Sequence, residues 1–520
     1  MTAITIERFK VRYRTPREAP EAPRRLKQVM ADTLRHGLEG AVERMGIGRD
    51  GYLCLREVKV RATLALRDGD AVLVEQLGRA IAGAIGGAAA AGTHAVAYAS
   101  RGSALVDLMT SALGGDFSRS WAWAQLAIWP SAAPVPAEAV ADLVVRALAR
   151  EPRPAIAALA SVARSDGTAF ARLLERAAPE AWMALARTAT QAAGWALPAT
   201  GAPPEPEVFA QAPVARRIAV TSAIAQAVMA HGRSLPVAAC LALGALAMVE
   251  AEPALSLGGA DRARATLAAV ARQLEAAVSR GSSTRSPDAS RGGSVAAEER
   301  IGGPHVSRGA EPPGTGVNGT HGKTTEPLGS TAARKSPGPA KALRVPSESR
   351  QEVRRQTTTE FGGLLYLVNL VERLGLPETI IRDDRLSARG LRWVLSQLGS
   401  ALAGIPPHDP AALAFAGLLP GARPPAAMGP PADASELSAI REFQTAVVEG
   451  LRTALDRREE PEAALLDLVC RRRAEIVGDP GWIEARFSLD DISLDVRRAG
   501  LDRDPGWVPW LGVVVRFSYA

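Results

Sequence analysis

The 520 residues are 47% hydrophobic, enough apolar material for several cores and about two to four domains. Only 4% are aromatic, which leaves Leu, Val, Ile and Ala to fill those cores. The 62 basic and 55 acidic side chains leave a formal charge of +7, dispersed as arginine along the chain, whereas nucleic-acid binding favours a basic cluster or stripe; DNA binding is therefore not the leading expectation.

At the start of the chain, "ITIERFKVRYR" alternates through Ile4, Ile6, Phe9, Val11 and Tyr13, which predicts a strand. Residues 24–45 place Leu26, Val29, Met30, Leu34, Leu38, Val42 and Met45 at helical spacing, an amphipathic helix of about six turns. "YLCLREVKVRATLAL" returns to alternation, and Asp70 reads as the N-cap of a second helix. Strand, helix, strand, helix over residues 1–90 make an α+β domain. The Ala/Gly run at 86–101 reads as linker or a loosely packed helix.

Residues 91–278 read as an Ala-rich helical region. Pro136, Pro152, Pro154, Pro179, Pro198 and Pro236 mark the ends of separate helices, since a proline inside a helix costs ~3 kcal/mol or more. Trp121, Trp123, Trp129 and Trp182 are expected as core anchors. "LPVAACLALGALAMVE" at 235–250 falls short of the ~20 residues that cross a bilayer and reads as a buried helix.

Residues 279–358 are rich in Ser, Gly, Pro, Thr and Arg and poor in apolar clusters, the composition of a disordered linker. Inside it, "NGTHGKTTEP" at 318–327 resembles the ATP-binding loop of the Mur peptidoglycan ligases: Gly319 and Gly322 suit close approach to phosphate, Lys323 supplies charge and Thr324 a Mg²⁺ ligand. Such a loop works only between a strand and a helix. Pro312 and Pro313 precede it and Pro327 follows it, so no nucleotide site is expected there. His305 and His321 read as solvated.

After the linker, residues 359–425 read as a buried helical hairpin with Pro-rich loops. Phe361, Leu364, Leu365, Leu367, Val368, Leu370, Val371 and Leu374 predict a helix apolar over most of its circumference, capped by the threonines before Glu360 and ended by Pro377. A second helix is expected at 387–402. His408 and Asp409 stand between prolines without a further partner and do not read as a catalytic dyad.

Residues 426–520 read as helices at 434–456 and 461–476 followed by a small β-sheet from "WIEARFSL", "ISLDVRRAG" and "LGVVVRFSYA", with Trp507 and Trp510 covering one face. Asp490 and Asp491, adjacent in sequence, would point to opposite faces of a strand and fit a turn instead. The basic stretches "EVRRQ" at 352–356 and "CRRRAE" at 470–475 read as solvated helix faces.

The expected fold class is thus α+β, predominantly α-helical. Cys54, Cys240 and Cys470 lack the spacing of a disulfide framework or a metal site and read as buried thiols of a reduced, cytoplasmic protein. The charged N-terminus is unlike a secretory signal. No GxSxG, HExxH or paired CxxC occurs, so no catalytic, cofactor or metal residues are assigned and the chain is not read as an enzyme.

Four features, "ITIERFKVRYR…LREVKVRATLAL", the helical middle, "EFGGLLYLVNLVERLGLP" and "GWIEARFSLDDISLDVRRAGLDRDPGWVPWLGVVVRFSYA", together resemble proteins of extracellular contractile injection systems, in particular the tape measure protein family. The resemblance implies a structural or assembly component of a phage-tail-like particle. It would either set inner-tube length or act as an adaptor or chaperone-like scaffold for tube, baseplate, sheath or cargo, with homo-oligomerisation compatible and no membrane or nucleic-acid partner. A ruler would be a long continuous helix, which the prolines here interrupt.

Overall fold

Proline sets the helix lengths. In the computed structural model, which describes residues 6, 10, 12, 21–37, 51–91, 94–130, 135–197, 205–283 and 355–519, Pro152 and Pro179 each occupy a first helical position and Pro236 is an N-cap. A missing N–H costs nothing at a helix start, and the fixed φ suits it. The N-terminal helices are α1 (Ala22–Asp32), α2 (Asp70–Ala91), α3 (Arg101–Gly114), α4 (Ser120–Gln125), α5 (Val140–Arg150), α6 (Pro152–Ser165), α7 (Gly167–Arg176) and α8 (Pro179–Ala192). They continue as α9 (Glu205–Ala210), α10 (Ala212–Thr221), α11 (Ala223–His231), α12 (Val237–Ala251) and α13 (Ala260–Ser283).

Trp123 and Trp182 are fully buried among these helices, Trp129 nearly so, and Trp121 is half-buried. The apolar stretch at 235–250 is α12, buried on nearly every side, and no helix among the described residues is long and apolar enough to cross a membrane. A short antiparallel pair, β1 (Tyr52–Leu55) and β2 (Ala95–Tyr98), packs beside α3 and α4, where Asp107 gathers Tyr98 Oη (2.8 Å), Trp123 Nε1 (3.0 Å) and Arg119 (2.6 Å). Burial, with the Asp107 charge beside it, raises the Tyr98 pKa, so the phenol stays a neutral donor.

This N-terminal part departs from expectation in two places. The strand expected from 53 to 64 ends at Leu55, and β2 falls in the stretch read as linker or helix. Four residues of alternating Ala, Val and Tyr are too short a run to show a period. The strand expected at 4–13 lies outside the described residues except for Ile6, Lys10 and Arg12.

The C-terminal part holds β3 (Arg355–Thr359), α14 (Leu367–Arg373), α15 (Leu376–Arg382), α16 (Leu391–Ala403), α17 (Pro410–Phe415), α18 (Ala434–Leu455) and α19 (Glu462–Cys470). β4 (Ala474–Asp479), β5 (Trp482–Phe487), α20 (Leu494–Arg498), β6 (Gly506–Val508) and β7 (Val513–Tyr519) follow. The strands form one sheet in the order β3-β4-β5-β7-β6, parallel only at β5–β7. The whole is predominantly helical α+β, with this small mixed sheet at the C-terminal end.

Several expectations are corrected here. The threonines read as a cap are strand β3, which also overlaps "EVRRQ" from Arg355 onward. The helix expected from Phe361 begins as a 3₁₀ turn over Gly362–Tyr366, and Pro377 opens α15 instead of ending its predecessor. The helix expected at 461–476 stops at Cys470, and β4 takes over, so "CRRRAE" bridges a helix end and a strand. "ISLDVRRAG" is not a strand: parallel strands β5 and β7 need a crossover, and α20, N-capped by Ser493, supplies it. At both ends the expected linker is shorter than 279–358, because α13 runs to Ser283 and β3 begins at Arg355. Its remainder, with His305, His321 and the loop at 319–325, lies outside the described residues.

Described residues before 284 and after 354 belong to one compact unit. The 3₁₀ turn Pro253–Gly258, after α12, inserts Ala254 into the C-terminal core. Glu252 beside it, 9% exposed, accepts from Arg217 Nε (3.1 Å), and Arg217 Nη1 donates to the Ala388 carbonyl (2.5 Å). Arg262 Nη1 donates to the Ile381 carbonyl (3.0 Å), and Arg153 lies over the Trp507 ring (5.7 Å).

The turn into the C-terminal core demands glycine. A Cβ on Gly363 would stand 2.0 Å from the Val469 carbonyl oxygen, and one on Gly362 2.3 Å from Ala474 Cβ. Gly363→Ala is therefore expected to destabilise the chain by about 1–3 kcal/mol, read as a lower denaturant midpoint at unchanged m-value. A midpoint equal to that of the wild type would show that the 3₁₀ turn has room to move.

Candidate interaction surface

The segment 361–371 and the last strand meet in one aromatic cluster. Tyr366 stacks on Phe487 (4.9 Å) and meets Phe517 edge-on (5.1 Å), while its hydroxyl lies 3.2 Å from that of Tyr519. Leu364, Leu365, Leu367 and Val368 are wholly buried around it; Leu374, at the end of the same stretch, is 38% exposed. Burying each of these aliphatic side chains is worth roughly 1.5–3 kcal/mol. Alternation then fixes the sheet: Ile476, Ile483, Ala485, Phe487 and Val515 point into this core, and the neighbouring positions point away.

The outward face is mixed: charged and hydroxyl side chains gather at one end, while Val477, which is fully buried, and Trp482, Val514 and Trp507 lie toward the other. Cross-strand rows run Thr358–Glu475–Arg486–Ser518 and Gln356–Val477–Glu484–Arg516. Arg486 lies between Glu475 (3.3 Å) and Glu484 (2.9 Å), Ser518 Oγ donates to Glu484 (2.8 Å), and Arg516 pairs with Asp504 (2.6 Å). Such half-exposed pairs stabilise by less than ~1 kcal/mol each, but they neutralise the face. Among the described residues this face presents no basic stripe to a phosphate backbone.

Among the described residues, one edge of the sheet is guarded and the other is not. β6 has three residues between Pro505 and Pro509. β3 has five, with no proline, and Arg355, Gln356 and Thr358 are exposed. Among the described residues, no backbone hydrogen bond joins β3 to any segment but β4. Beside the sheet, the β5–β7 crossover exposes Leu489 (59%) and Leu494 (64%).

Of the residues weighed from sequence, those among the described residues fall at separate places in the fold. Asp409 is the N-cap of α17, accepting from Ala411 N (2.8 Å) and Thr359 Oγ1 (2.9 Å). Asp490 and Asp491 lie in the 3₁₀ turn Leu489–Asp491. Among the described residues no group of His, Cys, Asp or Glu has the arrangement of a metal site. A cavity of about 310 Å³ lined by Leu113, Phe117, Val140, Arg172 and Arg176 lies elsewhere in the helical part, and Arg172 there caps the Leu113 carbonyl (2.9 Å). Sequence reasoning missed β3 and β4; the alternation of "AEIVGD" was hidden by the arginines before it.

The three cysteines are free and buried. Desolvation pushes the thiols of Cys54 and Cys240 up to about 11 and that of Cys470 up to about 12, from an ordinary value of 9.0. A folded value above the unfolded one favours the neutral thiol, so this contribution to stability is complete below pH 9 and is lost as pH rises toward 11 to 12. The native chain is expected to resist a thiol-specific reagent at pH 8 and to titrate fully once denatured. Rapid labelling of the native chain would place a thiolate at the surface.

Compared with family models, curated proteins and solved structures, the chain matches none of them.

Proposed function

We propose that the chain is a non-enzymatic assembly component of a contractile, phage-tail-like injection particle, acting as a folded adaptor. The observation that carries this reading is the meeting of two segments on which the resemblance rests. "EFGGLLYLVNLVERLGLP" and the last forty residues interlock through Tyr366, Phe487 and Phe517, with Gly362 and Gly363 required by the contact. The motif thus corresponds to one folding unit with paired charges on its outer face.

The shape of the helices favours an adaptor over a ruler. Among the described residues the longest, α2, α13 and α18, have 22 to 24 residues, at most about 36 Å, and they fold against their neighbours. An adaptor needs compact surfaces of this kind; a ruler needs length.

The test is co-expression of the tagged chain with the tube, sheath and baseplate proteins of the same particle. The chain is expected to co-purify with at least one of them, and its deletion to stop assembly without producing a graded series of tube lengths. A tube length that shortens in proportion to deletions within the helical region would favour the ruler. Normal particles in the absence of the chain would remove it from assembly altogether.

A further inference from the structure

The β3 edge has features that suit a second copy of the same strand. An edge strand offers a row of N–H and C=O groups to any extended chain, and sheets usually block such edges with proline, a central charge or brevity. β6 is blocked in this way and β3 is not. At the other small sheet, Gln125 Nε2 already occupies the Leu55 carbonyl of β1 (3.1 Å).

The sequence of β3 and its flank, Arg355-Gln-Thr-Thr-Thr-Glu360, carries opposite charges at its two ends and none between. In an antiparallel pair centred on Thr357, Thr357 faces its own counterpart, Gln356 faces Thr358, and Arg355 faces Thr359. The basic end of each strand then lies alongside the acidic end of the other. A parallel pair would set like charges together. Arg355 bonds the neutral Pro420 carbonyl (3.1 Å), and among the described residues no carboxylate pairs with it. Glu360 is 69% exposed and only loosely paired with Arg473, at 3.8 Å. Among the described residues both charges are thus available, and a Thr–Thr cross-strand pair is favourable.

We propose that β3 is a self-association site, through which two copies of the chain join their sheets by antiparallel β3–β3 pairing about a twofold axis at Thr357. The proposal is independent of the particle assignment. Pairing through five residues buries less surface than an obligate dimer, so association is concentration-dependent.

Sedimentation equilibrium of the full-length chain over a range of concentrations tests this. The wild type is expected to show a monomer–dimer equilibrium. Thr357 lies on the same side of the sheet as Ile476 but is only partly buried at the strand edge, so Thr357→Lys and Thr357→Glu are compared with the wild type only after circular dichroism has shown each to keep the wild-type fold, and the wild-type equilibrium is read regardless of them. Each sets like charges face to face on the dyad and should weaken dimerisation about five- to tenfold, whereas mixing the two variants should restore it. A monomeric wild type at every concentration would overturn the proposal, as would dimers insensitive to both substitutions. Loss of binding to a co-expressed tube or sheath protein in Thr357→Lys, with no wild-type dimer, would assign the edge to that protein instead.

Discussion

The buried carboxylate of Glu252 sits where the helical part meets the C-terminal part, and the mutual placement of the two depends on it. It leaves the end of α12 with little access to water, so it must be paired, and Arg217 pairs it while also reaching the Ala388 carbonyl across the seam. Gly390 makes room: a Cβ there would stand 2.0 Å from Glu252 Oε1. Removing one partner of a buried pair costs about 3–5 kcal/mol, somewhat less here because Arg217 is one-fifth exposed, and that is a large part of a domain's whole stability of ~5–15 kcal/mol. Ala254, two residues on, then drops into the C-terminal core and ties the polar contact to an apolar one.

The sheet inherits its exposure from this seam. Its Trp507 end lies against Arg153 of α6, and a Cβ on Gly481 would approach Ala157 of the same helix at 3.0 Å. The opposite edge, β3, is left as the side on which another chain can pair. The proposed adaptor role draws on the same features: paired charges on one face of the sheet and, among the described residues, a β3 edge that pairs only with β4.

Much of the fold was legible where a physical signal is local. Prolines at helix starts, apolar positions at helical spacing in 140–150 and 434–455, and alternation in "WIEARF" and "VVVRFSY" each translate directly into an element. What was not legible depends on partners distant in sequence. "RQTTT" is a strand because β4 lies 119 residues later to receive it, and nothing local separates it from a capping run. "ISLDVRR" is a helix because β5 and β7 are parallel, a fact of topology. Of the candidate surface, the aromatic anchors Phe487 and Phe517 could be read from alternation, but Glu252 gave no sign, since its partner and the glycine that admits it are brought together only by folding.

The central claim is that the two parts form one body through the Glu252 seam and are not two bodies joined only by the intervening chain. A specific protease site placed between residues 284 and 354 of the full-length protein tests it, with size-exclusion chromatography of the cut product under native conditions. The account predicts that both fragments elute together at the volume of the uncut chain, and that Gly390→Ala, which displaces Glu252, lets them separate. Two folded fragments eluting apart from the cut wild-type protein would contradict it.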